Sequence, residues 1–190
     1  LVPYSMAMSA VTITNSSIYD TPAADLVNAA TAIFTETGAT KQQVQALVQN
    51  PQYPLSVLTD LAINIRRLQG VPGRDAVVIF AAAAKTQPET RFMAGAVGML
   101  ARYHEAVTPI AQVSAPGPIL GRTAAGTLVV PMPVDYIAWT KRVAQFPQRP
   151  DIQAPEHVGF VSGRLSPLAE KEFTKRGWKL YEAFTIAAER

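Results

Sequence analysis

Proline and glycine divide this sequence into segments of helical length up to residue 106 and of strand length after it. Proline removes a backbone donor and fixes φ, and glycine costs entropy inside an element, so both collect where elements end. Between Pro22 and Gly38 the apolar residues Leu26, Ala30, Ile33 and Phe34 recur at helical period, with Thr21 as the expected N-cap and Pro22 in the first turn. Thr40 opens a second helix bearing Val44, Leu47 and Val48, and Asn50-Pro51 closes it. A third helix is expected from about Pro54 to Gln69. Its stripe is Leu55, Leu58, Leu61, Ala62, Ile65 and Leu68, and Asp60, Asn64 and Arg67 are expected to look outward. Residues 75 to 86 are apolar on every face, which predicts burial on all sides; the four alanines Ala81 to Ala84 favour helix over strand. Residues 88 to 106 continue as a fifth helix through Met93, Val97 and Leu100. Ala94, Gly95 and Gly98 on this helix, facing Ala81 to Ala84 on its predecessor, predict a close pair.

From Pro109 the period changes. The runs 110 to 114, 118 to 123 and 127 to 132 are β-prone, and Ala124-Ala125-Gly126 is a three-residue hairpin turn. Pro131 and Pro133 predict an exposed sheet edge. Residues 4 to 15 also alternate and predict a first strand. Val134 to Phe146 reads as a helix carrying Ile137, Trp139, Val143 and Phe146. The next ten residues, PQRPDIQAPE (147 to 156), hold three prolines and predict a semi-rigid connector. A strand (157 to 162), a helix (167 to 176) and a second strand (178 to 184) follow, a unit too small to fold alone that should complete the earlier sheet. The expected fold is therefore α+β, with a layer of five helices over 21 to 106 packed with a small mixed sheet and two further helices. Residues 1 to 190 are expected to share one core, with a candidate sub-boundary at 147 to 156 that sets off 157 to 190.

The chemistry is narrowed by what the sequence lacks. It has no cysteine and two histidines, His104 and His157, in no paired metal-binding motif, so no metal or cofactor is expected. His104, near a helix end, is expected to be a cation favoured by the helix dipole. No nucleophile elbow surrounds Ser162, and the Ser162, His104 or His157 and Asp135 combination is the kind of trio any chain this long offers. The net charge of +3 is uneven, −3 over residues 1 to 60 and +6 over 61 to 190. The basic pairs Arg66-Arg67, Lys141-Arg142 and Lys175-Arg176 are scattered near helix ends, so nucleic acid is not the expected partner. The longest apolar run, Ala76 to Ala84, is far below the ~20 residues a membrane-spanning helix needs. Arg91, Arg102 and His104 also interrupt a membrane hairpin, and the chain reads as soluble. It begins at Leu1 and is cysteine-free, which leads us to expect a processed product or excised domain, compatible with an exported bacterial protein.

Two stretches remain as candidate sites. In GFVSGRLSPLAEK, Ser162, Gly163, Arg164 and Ser166 precede a helix opened by Ser166-Pro167. The turn itself demands those residue types, and the same residues are candidate ligands of a phosphate or carboxylate at a helix start. In MPVDYIAWT, Asp135, Tyr136 and Trp139 are candidates for contact with a peptide or glycan partner, with Asp135 also explained as a helix N-terminal carboxylate and Trp139 as core. The expected function is a non-enzymatic binding or interaction module, part of a bacterial envelope or secreted protein. The alternative is a sensor or enzyme for a small anionic ligand, with a pocket near Arg164 and Asp135.

Overall fold

The computed structural model describes residues 21 to 183. The strand expected at 4 to 15 lies outside them. Five helices come first: α1 (Ala23–Thr35), α2 (Lys41–Val48), α3 (Leu55–Arg67), α4 (Arg74–Ala82) and α5 (Gln87–Ala106). Their starts follow local chemistry. Thr40 and Gln43 form a reciprocal capping box on α2, and the Thr86 hydroxyl accepts the Glu89 N–H at the head of α5. At α1 the expected cap moves by one residue, because Pro22 itself occupies the N-cap position and makes no side-chain bond.

Packing corrects three expectations in this layer. Asn64 faces inward, 5% exposed, because its polar atoms are satisfied locally: Nδ2 donates to the Asp60 carbonyl at 3.0 Å, and Oδ1 accepts from Arg67 at 3.0 Å. α4 is not buried all round, since Ile79 is 44% exposed. The small residues of α4 and α5 do not form a mutual seam either; α4 lies against α2, and α5 lies against α3 and the sheet. Gly95 shows what its lack of a side chain serves, since a Cβ there would stand 3.0 Å from the Pro133 ring. At Gly95 the α5 surface is thinned for the chain leaving the sheet.

The sheet contains β1 (Ile110–Ser114), β2 (Leu120–Thr123), β3 (Leu128–Met132), β5 (His157–Val161) and β7 (Trp178–Tyr181), in the order β1-β2-β3-β5-β7. The first three strands are antiparallel neighbours and the last three are parallel, so the sheet is mixed as expected. Gly126, at φ +86°, closes the predicted hairpin. Pro131, however, lies on the central strand. The Leu128 N–H donates to Glu156 and the Met132 carbonyl accepts from Ser162, so even-numbered β3 residues bond toward β5. Pro131 directs its nitrogen the other way, past the last paired residues of β2, where no donor is needed.

Each face of this sheet has its own apolar cluster. Val129, Val158 and Phe160 pack with the helical layer, whereas Leu128, Val130 and Val161 pack with Ile152, Phe173 and Trp178 on the other face. α7 (Pro167–Lys175) covers that second face, with Ser166 as a side-chain N-cap. The Pro-rich segment 147 to 156 is more than a spacer: 3-10 turns span Phe146–Gln148 and Pro150–Ile152, and Ile152 at the end of the second is completely buried. The helix expected over 134 to 146 shrinks to α6 (Lys141–Gln145), capped by Thr140; before it lies a short strand, β4 (Tyr136–Ile137), paired in parallel with β6 (Arg164–Leu165). The fold is α+β: a five-helix layer, a mixed five-stranded sheet, and two shorter helices in the C-terminal half.

Candidate functional site

The two stretches singled out in the sequence meet. β4 and β6 leave the C-terminal ends of β3 and β5, and their register sets Tyr136 opposite Arg164 and Ile137 opposite Leu165. The C-terminal end of parallel strands is where open sheets of this kind commonly bind ligands. Gly163 is required for this meeting, since a Cβ there would lie 1.8 Å from the Asp135 carbonyl oxygen. Asp135, Tyr136 and Arg164 are exposed on the resulting ledge.

The backbone donors of the ledge are already engaged. The N–H groups of Ser162, Gly163, Arg164 and Ser166 donate to the carbonyls of Met132, Val134, Asp135 and Ile137, and the Leu165 N–H donates to the Glu182 carboxylate. The Ser162 hydroxyl donates to the Val134 carbonyl at 3.0 Å, and the Ser166 hydroxyl accepts the Ala169 N–H at 3.1 Å. These bonds build the strand-to-helix corner; of the four candidate ligand residues, Arg164 alone keeps an exposed polar side chain for an anion. Asp135 precedes β4 and is not in the first turn of a helix, so its expected role as a dipole partner does not apply. Trp139 is half-buried, with the Phe173 ring edge-on at 5.2 Å and the Arg176 guanidinium 4.9 Å above it.

Next to the ledge lies an open cleft of about 860 Å³, bounded by Phe92 of α5, Met132 of β3, residues 136 to 138 and the α6 turn with Val143 and Phe146. Of the site residues expected from the sequence, Tyr136 alone lines it; Asp135, Trp139, Ser162, Gly163, Arg164 and Ser166 do not. Its floor is apolar, and its two charged lining residues are Arg142 and Arg149. Arg149 is already paired, holding Asp151 through bonds of 2.9 and 2.6 Å, and that hydrogen bonding keeps the Asp151 carboxyl below the usual carboxylate range. Arg142 has no hydrogen bond or ion pair among the described residues. A smaller hollow of about 500 Å³ lies beside Tyr103, Phe160 and Tyr181.

Sequence reasoning missed Phe92, Arg142 and Arg149. One signal was present: Phe92 sits beside the apolar stripe of α5 between Arg91 and Met93, a large aromatic residue on an outward position, and it is 38% exposed. The histidines stay apart from the cleft. His104 Nδ1 accepts the Ile110 N–H at 2.9 Å, so the side chain links α5 to β1. His157 stacks on Trp178 at 4.8 Å. No protein-family model matches this chain, and no curated protein or solved structure is similar enough to match it.

Proposed function

We propose that this chain is a non-enzymatic binding module of an exported bacterial protein, and that its ligand surface is the cleft beside β4. The observation that carries the reading is the lining: an open apolar floor with an unpaired Arg142 at its side and neither carboxylate nor imidazole among its residues. A concave apolar surface with few polar groups suits recognition. Acid–base or nucleophilic chemistry needs converging titratable groups, which this lining does not supply. The exported placement is supported by the absence of cysteine.

The test uses the neutral dye N-phenyl-1-naphthylamine, whose fluorescence rises in apolar clefts. The full chain should bind it saturably, and Phe92→Ser should weaken binding by about threefold to tenfold, the loss expected for one exposed aromatic contact. Absence of a fluorescence rise, or equal binding by Phe92→Ser, would overturn the cleft as the ligand surface. The second reading, a small-anion sensor, is supported by the side-by-side placement of Tyr136 and exposed Arg164. Calorimetric titration with phosphate and acetate decides it; heats unchanged in Arg164→Ala dispose of that reading.

A further inference from the structure

In a parallel strand pair, the N–H and C=O of one residue point to one side and those of the next residue to the other. The carbonyls of Asp135 and Ile137 accept from Arg164 of β6 and from Ser166 just after it. The backbone groups of Tyr136 and the N–H of Ala138 therefore point to the opposite edge, where no strand among the described residues pairs with them. Tyr136, Ile137 and Ala138 also line the cleft. An unpaired strand edge and an apolar cleft thus border the same three residues.

We propose that this edge and cleft together receive one extended, acidic peptide segment of a partner protein, which adds as a strand beside β4 and places a carboxylate against Arg142. The proposal rests on the reading of the cleft as the ligand surface and specifies its occupant. Two observations choose a peptide over a compact amphiphile. The free edge offers alternating backbone donors and acceptors, which another extended backbone satisfies and a small apolar molecule leaves unpaired. The exposed flanks, Tyr136 at 59% and Phe92 at 38%, suit alternate side chains of such a strand, because residues i and i+2 of a strand share one face. Charge selects the acidic residue: Arg149 is neutralised by Asp151, no carboxylate lines the cleft, and Arg142 is left to complement an anion.

The test is selection of random nonapeptides displayed on phage, with the full chain immobilised. The expected result is an enriched set alternating apolar and acidic residues. A synthetic member of it should shift the amide resonances of Tyr136 and Ala138. Ala138→Pro deletes one edge donor and should weaken that peptide by about tenfold, the value of one or two backbone hydrogen bonds. Arg142→Glu should weaken it by about tenfold or more. Because Ala138→Pro can disturb folding, a peptide methylated at alternate amides provides an independent check, and methylation in one register but not the other should abolish binding. Dye binding without any enriched peptide overturns this proposal and leaves the cleft standing, whereas failure of dye binding removes the cleft itself. Peptides that bind Ala138→Pro and Arg142→Glu as tightly as the unaltered chain, or that lose affinity equally in both methylation registers, also overturn it.

Discussion

Asn50 ends α2 and also fastens the end of α4. Its Nδ2 donates to the carbonyls of Ala82 and Ala84 at 3.1 and 2.9 Å, while its Oδ1 accepts the Gln52 N–H at 2.9 Å. The carbonyls at the end of a helix lack intrahelical donors, and this one amide satisfies that of Ala82 together with that of Ala84, two residues past the helix. Asn50→Ala should destabilise the protein by about 1 to 3 kcal/mol through those unmet acceptors. Asn50→Asp should cost more, because a carboxylate would face two carbonyl oxygens; urea titration that finds Asp equal to Ala would refute this. Asn50 was legible in the sequence as a stop signal beside Pro51, but its second task was not, since its acceptors lie 32 and 34 residues away. Tyr53 makes a similar long-range bond, donating its buried hydroxyl to the Ala81 carbonyl at 3.0 Å. Burial pushes its phenol well above the ordinary value of 10.0. A raised native pKa means that the associated stability is complete below pH 10 and is lost as pH rises beyond it, where the unfolded chain releases a proton that the native state retains. Stability should therefore fall on the alkaline side of pH 10, and Tyr53→Phe should flatten that fall while lowering stability at neutral pH by about 1 kcal/mol.

The β4–β6 pair was the element furthest from view. Ile137, Trp139, Val143 and Phe146 fall close to helical spacing, yet residues 134 to 137 are held extended by Ser162, Gly163, Arg164 and Ser166, partners more than twenty residues along the chain. Local periodicity carries no record of such pairing, and here tertiary hydrogen bonding overrides it. Elements set by caps and stripes were read more closely: α2 follows from the Thr40 and Gln43 pair, α7 from Ser166-Pro167. The small-residue reading of α4 and α5 erred because a glycine announces a close approach without naming the neighbour, and at Gly95 the neighbour is Pro133. Gly163 gives the sharpest element-scale prediction. Gly163→Ala places a methyl group where the Asp135 carbonyl stands, so β4 must separate from β6, at a cost of about 2 kcal/mol or more. The amide protons of Arg164 and Ser166, which donate across this pair, should then lose hydrogen-exchange protection. Unchanged protection would show that the ledge tolerates the methyl group and that the glycine is not required for the pairing.

At the scale of the whole molecule, the change of period at Pro109 was enough to predict helices packed with a later sheet, because layers of this kind follow from which segments have one apolar face. It could not show that the sheet would have apolar clusters on both faces, nor that β5 would enter between β3 and β7. That insertion governs cooperativity. β5, α7 and β7 bring Val158, Phe160, Val161, Phe173 and Trp178 into the two clusters, all of them buried. At about 2 kcal/mol per buried side chain these five contribute about 10 kcal/mol, which matches the net stability of an ordinary domain. The Pro-rich segment between them and the rest is itself anchored by fully buried Ile152. A chain truncated after Glu156 should therefore lose cooperative thermal unfolding, since the β5-facing edge of β3 and the apolar side of Leu128 and Val130 would both open to water. Retention of a sharp transition near that of the full chain would instead make 147 to 156 a genuine domain limit, with the helical layer and the first three strands stable without the strand-helix-strand unit.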